Sequence, residues 1–386
     1  MPVCYQINLQ TSFGGGEVYT RFFSEALLSL GWEVELFVAR KAPFWSAMGM
    51  TGVRLREVGS EADILDALPS ERSLVVTHTA ASPGFAAALA TRHRLAGFIH
   101  MPLYERNPAG FARYERLFAV SRHVIASARE RGLGNVYPEP MYGVADLALR
   151  PGRAENQLRA GSAYDWDRRK LRDRFLRVLS PLAAALMPRQ PFVRHPGLTL
   201  GIVSRLTPIK QFPRMLAILA PVLARYPTVN LEVFGSGGYA SVRDIKRAVG
   251  SIGNQVRFWG QQADVAAVYS QLDYVLSGLP EKEALGLNLI ESQSCGTPVL
   301  AVNAPPFSET VVDGASGYLF ADPRRDGGAD FAQLLGRLVA GAARPDPRKA
   351  VAHLARFSRE AFRDRVGVAL AAVTGPSDGD RVMASD

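Results

Sequence analysis

The chain reads as an α/β protein built from two doubly wound parallel-sheet domains, and three observations predict this. Short β-like runs alternate with helical stretches along both halves. At 386 residues the chain exceeds what one hydrophobic core organises, and 47% apolar residues are enough to fill two. Between the halves, Pro188, Pro191 and Pro196 followed by Gly197 break any helix. The reading therefore places a first domain at 1–190, a second at 191–345, and a terminal segment at 346–386.

In the first half, strands are expected at Val3 to Leu9, Glu33 to Val38, Leu74 to Thr77, Gly97 to His100 and Leu117 to Val120. In the second half they are expected at Leu198 to Ser204, Asn230 to Phe234, Gln255 to Phe258, Asp273 to Ser277 and Pro298 to Val302. Arg348 to Val373 reads as one amphipathic helix, and the chain beyond Pro376 is polar and small, the composition of a loose tail.

Charge and cysteine content narrow the class. Only Cys4 and Cys295 are present and no secretory signal precedes the first strand, so a reduced, cytoplasmic protein is expected. No apolar run is long enough to span a bilayer, which leaves peripheral contact as the only membrane expectation. Much of the net charge of +9 gathers at about 166–187, where Arg168, Arg169, Lys170, Arg172, Arg174 and Arg177 interleave with Leu171, Phe175, Val178, Leu179 and Leu182. That spacing makes a basic amphipathic helix, suited either to the anionic inner face of a membrane or to packing between domains with a solvated charged face. Nucleic acid is a poorer fit, because no recognised binding motif or aromatic-basic platform accompanies the arginines.

The most informative segment runs from Glu283 through Ala-Leu-Gly-Leu-Asn-Leu-Ile to Glu291, with Cys-Gly-Thr-Pro at 295–298 behind it. Glu283 falls in a loop, Gly286 lets backbone approach a ligand, and a helix starting near Leu287 and Asn288 aims N–H groups at an anion. Glu291 then lies about one turn up that helix. Two carboxylates so placed can accept hydroxyls from a hexose and from a ribose, with phosphate at the helix end between them. Two glutamates eight apart also occur in ordinary solvated helices. What raises this pair is its place after one strand and before another, since ligands of open α/β sheets bind at the carboxyl ends of strands.

With Asp313-Gly-Ala-Ser-Gly317, these motifs resemble the family-4 retaining glycosyltransferases of GT-B fold. The likeness extends along nearly all of the chain, strongly in the second half and loosely in the first. Gly201-Ile-Val-Ser-Arg205 followed by Lys210 resembles the family's basic pair, which implies that Arg205 and Lys210 grip the donor diphosphate. Leu231 to Gly237 resembles the glycine-bearing strand end, with Gly235 on the donor side, and Val256 to Gly260 the strand beside the nucleobase. In the first half, Ser12-Phe-Gly-Gly-Gly-Glu17 resembles the loop facing the donor phosphate, and Val120-Ser121 with Tyr142-Gly143-Val144 the strands leading to the linker. The resemblance also implies two Rossmann-like domains facing a central cleft, and a last helix that crosses back to the first domain. Two departures stand out: the family usually has an aromatic where Leu285 stands and a Lys-Gly step where Lys210-Gln211 stands.

Residue chemistry fits these roles. Gly14, Gly15 and Gly16 follow the first strand and precede an apolar helical face, the order of a phosphate-binding loop, although a glycine run alone is also an ordinary turn. Glu17 suits a helix cap better than an acceptor contact. Gly235 to Gly238 either approaches the nucleotide or merely turns the chain. His100, at a strand end, resembles the histidine that contacts the transferred sugar; the plain alternative is a local hydrogen bond. His78 is a weaker candidate for the acceptor side.

A nucleotide sugar carries a good leaving group, so catalysis needs charge stabilisation on the departing diphosphate more than a strong base. The expected activity is a retaining, metal-independent α-glycosyltransferase, using Arg205, Lys210, Glu283 and His100, that moves a sugar from a UDP- or GDP-sugar co-substrate to a glycan or lipid-linked glycan of the cell surface. No cofactor and no DxD-like metal signature is expected. The alternatives are a noncatalytic nucleotide-sugar-binding protein and a GT-B epimerase or phosphorylase. If the basic segment serves a membrane surface, neutralising Arg168, Arg169 and Lys170 lowers sedimentation with anionic liposomes at low salt. Unchanged sedimentation would leave domain packing as its role.

Overall fold

The structure, a computed structural model, describes residues 1–145, 147, 157–158, 164–165 and 190–375. The chain divides into two compact units, one formed by Met1–Val144 with the segment from Ala355 onward, the other by Ala145–Leu354.

The first unit is a six-stranded sheet of β1 (Val3–Asn8), β2 (Glu33–Ala39), β3 (Val53–Val58), β4 (Leu74–Thr77), β5 (Arg94–Ile99) and β6 (Arg116–Ala119), in the order β3-β2-β1-β4-β5-β6. Every neighbouring pair is parallel. In the second unit, the two-residue strands β7 (Gln157–Leu158) and β8 (Gln190–Pro191) pair antiparallel. Its main sheet comprises β9 (Leu198–Val203), β10 (Val229–Phe234), β11 (Val256–Gly260), β12 (Tyr274–Leu276), β13 (Val299–Val302) and β14 (Gly317–Phe320). The order β11-β10-β9-β12-β13-β14 repeats that of the first sheet, again all parallel. Both units are therefore doubly wound, with the order reversing beside the first strand, where such sheets bind ligands.

The ten expected strands are all present, and besides the short pair β7 and β8 two more appear, at the outer edges of the main sheets. β3 escaped the sequence reading because its apolar residues alternate with Arg54, Arg56 and Glu57, which stand exposed. β14 is four residues long and follows directly on the turn at 313–317, which masked it.

The division between units falls at Val144 rather than at 190. Ser294 Oγ donates to the Ala145 carbonyl at 2.8 Å, Cys295 Sγ lies 3.4 Å from that of Leu147, and the Asp165 amide donates to Gly237 at 2.7 Å, so these positions belong with the second sheet. The second unit also runs past 345 to Leu354, because buried His353 sits 3.1 Å from both Gln293 Oε1 and the Thr310 carbonyl. The single helix expected over 348–373 is broken into a 3-10 turn at Pro347–Lys349 and helices at Val351–Ala355 and Arg359–Thr374. Ser358 makes the break: its Oγ accepts the Ala361 amide at 3.2 Å, the geometry of an N-cap. Helix Arg359–Thr374 packs in the first unit on helix Gly15–Ser29, through an Arg359–Glu25 pair at 2.7 Å and an edge contact of Phe362 with Tyr19 at 5.3 Å. The basic segment expected at about 166–187 and the tail beyond Pro376 lie outside the described residues.

A buried acid pins the edge of the second sheet. Glu232 of β10 is 1% exposed and lies opposite Arg257 of β11. It accepts the Arg257 Nε–H at 2.9 Å and the Trp259 indole N–H at 2.6 Å. Removing one partner of a buried pair costs about 3 kcal/mol or more, because the rest stays desolvated. Glu232→Ala therefore lowers the urea midpoint strongly, and Glu232→Gln, which keeps an acceptor for Trp259, lowers it less.

Candidate functional site

The second unit places its candidate residues at the carboxyl ends of β9, β10 and β12. Where β9 ends, the Ser204 and Leu206 amides donate to Phe234 and Ser236 at 3.1 and 2.7 Å, which carries the loop along the end of β10. This approach requires glycine: a Cβ on Gly235 would lie 1.8 Å from the Ser204 carbonyl oxygen, and one on Gly278 would lie 2.2 Å from that of Lys210. The loop is thus held from both sides. Arg205 leaves it exposed, whereas the Lys210 side chain is only 19% exposed. At the departure from the family's Lys-Gly step, Gln211 adopts φ +53°, so the backbone turns in the left-handed conformation that glycine favours.

Glu283 meets Lys210 directly, its Oε2 accepting from the ammonium. Gly286 caps the helix Leu287–Ser294 at φ +83°. Asn288 ties that helix to the end of β9, its Nδ2 donating to the Val203 carbonyl at 2.9 Å. The Leu287 and Asn288 amides thereby stand at a helix start beside the loop that holds Lys210. Glu291, half-buried one turn on, lies 3.3 Å from the Tyr269 hydroxyl, which is also 3.0 Å from the Asn288 carbonyl. Burial raises the Glu291 carboxyl above its ordinary value, against the hydrogen bond from Tyr269 and the charge of Lys210. Burial and the charge of Glu291 in turn push the Cys295 thiol up to about 12, which makes it an inert packing group. Lys210, Glu283 and Glu291 thus form one electrostatic group, with Arg205 on the same loop.

Sequence reading missed two supports. Tyr269 comes from helix Val265–Tyr269 and touches both the backbone and the acid of the following helix. Glu281, two residues before Glu283, is bound by Arg324, which also forks onto Asp322 at 2.6 and 2.9 Å. The adjacency of Asp322 and Arg324 hinted at a local pair, but nothing in spacing links them to Glu281, 43 residues away.

The first unit places its candidates at the carboxyl ends of β1, β4 and β5. Gly14, extended at φ −169°, caps helix Gly15–Ser29, and a Cβ on Gly15 or Gly16 would meet open space. Glu17 lies buried in the first turn. Behind it a polar ladder ties strand to helix: Gln6 Nε2 donates to Ser24 Oγ and Asn8 Nδ2 to Thr20 Oγ1, both at 2.9 Å. His78 Nε2 lies 2.8 Å from Gln6 Oε1. His100 packs edge-on to Tyr19 at 4.9 Å and stacks with His78 at 5.7 Å; its Nε2 is buried and has no partner among the described residues. Burial lowers the His100 imidazole to about 4, so it is neutral at physiological pH and its ring can donate or accept one hydrogen bond. Among the described residues, no group of three His, Cys, Asp or Glu side chains is arranged to hold a metal, and no helix is long and apolar enough to cross a membrane.

Two doubly wound units of this order define the GT-B fold, the fold of a large class of glycosyltransferases. Within it, residues 197–340 match the family model described as Glycosyl transferases group 1. The chain is similar to a D-inositol 3-phosphate glycosyltransferase of Segniliparus rotundus, 36% identical over 174 residues, which cover 42% of this chain and 37% of that protein. It is also similar to a phosphatidyl-myo-inositol mannosyltransferase of Mycolicibacterium smegmatis, 28% identical over 158 residues, covering 40% of this chain and 38% of that protein. These matches span well under half the length of the curated relatives. Among solved structures, Anabaena HepE in complex with UDP superposes with a TM-score of 0.70 at 16% identity, covering 96% of this chain and 100% of that one.

The electrostatics of Glu291 are testable without ligand. Its raised carboxyl means that, as pH climbs above the ordinary value of 4.5, the folded chain keeps a proton the unfolded chain has lost, so stability falls with rising pH in that window. Glu291→Gln removes this penalty. Calorimetric scans of the unliganded protein are expected to show the variant melting above wild type at pH 7, with a flatter pH profile from 4.5 upward. A lower melting temperature at pH 7 would mean that attraction to Lys210 outweighs burial.

Proposed function

We propose that the protein is a glycosyltransferase that takes a sugar from a nucleoside diphosphate sugar, UDP- or GDP-linked, and passes it to a hydroxyl of a glycan or polyol acceptor. The observation that carries this reading is the grouping of Lys210, Glu283 and Glu291 around the glycine-capped start of helix Leu287–Ser294. A diphosphate is the ligand such a grouping serves best. Lys210 and Arg205 supply positive charge, and the helix start supplies oriented N–H donors. The family match over 197–340 supports the same reading, since it covers this whole grouping. So does the GT-B neighbour crystallised with UDP.

In this reading Glu291 accepts ribose hydroxyls and Glu283 accepts hydroxyls of the sugar. On donor binding, Lys210 exchanges part of its contact with Glu283 for the phosphate oxygens. As the sugar–phosphate bond breaks, Lys210 and Arg205 stabilise the charge that builds on the leaving diphosphate. Retention of anomeric configuration follows the family resemblance; the departing phosphate then takes the acceptor proton and the protein supplies no covalent nucleophile. Neutral His100 is suited to hold a sugar hydroxyl. The named activities of the inositol-related relatives put D-inositol 3-phosphate and phosphatidyl-myo-inositol beside cell-surface glycans as acceptors to test.

A panel of nucleotide sugars, read by thermal shift and donor hydrolysis, tests the proposal, because a true donor stabilises the folded protein by mass action. One base is expected to dominate. Glu291→Ala weakens that donor's binding about tenfold, while Arg205→Ala and Lys210→Ala mainly lower turnover, each by about a hundredfold or more. If both basic substitutions leave turnover unchanged, the leaving-group assignment is wrong.

A further inference from the structure

The first unit carries a cluster of arginines at the place where the chain leaves it after Val144 and returns at Ala355. A cavity of about 640 Å³ opens there, the size of a small organic ligand. Arg122, Tyr142, Arg356, Arg365 and Val368 are among the residues that line it. Two of its guanidinium groups share one aromatic ring: Arg356 lies 4.9 Å and Arg365 5.8 Å from the Tyr142 ring centroid. Arg365 Nη2 donates to the Tyr142 carbonyl at 2.8 Å, yet its Nε is buried without a partner among the described residues. A buried N–H left unpaired is costly, and two like charges over one ring repel.

The nearby acids answer these charges only in part, Asp364 acting on Arg365 at a distance without pairing with it. Glu139 is engaged by Arg122 at 3.3 Å and Asp364 by Arg363 at 2.7 Å. Among the described residues, no carboxylate lies within ion-pair distance of Arg356 or Arg365. The lining of Met141, Pro140 and the Tyr142 ring adds apolar surface beside the paired cations. We infer that this cavity binds a soluble phosphomonoester, its phosphate bridging Arg356 and Arg365 and its organic part resting on the Tyr142 side. Guanidinium forks match a phosphate bidentately, and a bridging anion relieves the repulsion between the two cations. The inference does not depend on the transferase reading, because every residue in it belongs to the first unit.

The test uses the full-length protein carrying Arg205→Ala and Lys210→Ala, so that phosphate held by the second unit contributes nothing. Inorganic phosphate and phenyl phosphate are titrated by thermal shift. Both are expected to raise the melting temperature, phenyl phosphate at the lower concentration because its ring adds apolar contact. Adding Arg356→Gln, an exposed position, is expected to weaken the apparent affinity about tenfold. Val368→Glu, which sets a carboxylate at the 63% exposed rim, is expected to abolish the response. If the response is absent in the Arg205/Lys210 background, or persists unchanged through both Arg356→Gln and Val368→Glu, the inference is overturned.

Discussion

The ion pair between Lys210 and Glu283 is the constraint on which the frame of the second unit's candidate site depends. Each partner is delivered by a loop with no freedom of its own. The backbone of Lys210 is pressed against Gly278, and the Glu283 amide turns back to donate a 2.9 Å hydrogen bond to the Pro280 carbonyl. The pair therefore locks two strand ends into one frame before any ligand arrives, and the helix beginning at Leu287 takes its position from that frame through Asn288. A lysine already matched by a carboxylate also keeps its charge from drawing in arbitrary anions. A ligand must offer something better than Glu283, such as several phosphate oxygens at once, to displace it.

The first unit handles polarity differently. Its carboxyl-end groups are neutral amides, hydroxyls and imidazoles: Gln6, Asn8, Thr20, Ser24, His78 and His100. Burial depresses both imidazoles, His78 further through the neighbouring His100, so both rings are neutral at physiological pH. Gln6, Asn8, Thr20 and Ser24 are buried and spend these hydrogen bonds on one another, which fastens the strand to the helix behind it. The two units thus differ at these strand ends, with a charged cluster in one and a paired polar network in the other.

Much of this was legible in the sequence, for particular reasons. The second sheet announces itself because β9, β10 and β13 are almost wholly buried and correspondingly rich in branched apolar residues, β13 being an unbroken run of them. The Glu283–Glu291 segment was legible because its chemistry is local, all within nine residues and one helix start. What escaped was non-local or marginal. Arg324 reaches Glu281 across 43 residues, and Tyr269 reaches Glu291 across 22, distances over which no periodicity speaks. β3 escaped because exposed arginines dilute its apolar signal, and β14 because it is four residues long and abuts a turn. The unit boundary was placed at prolines, a sound guide to where helices stop, but the seam is set by where hydrogen bonds lead, and those of Ala145 and Leu147 lead to Ser294 and Cys295.

The makeup of β3 carries a consequence for the molecule's life in a crowded solution. An outermost strand leaves one row of amides and carbonyls with no neighbour, an invitation for a strand from another copy to add on. Here that rim presents Arg54 and Arg56, both leaning inward onto Glu35 of β2. A second copy approaching in register would have to bring its own arginines against these, and would strip water from cations that are well hydrated where they stand. The same residues that hid β3 from a hydrophobic reading of the sequence thus guard the sheet against growing into a fibre.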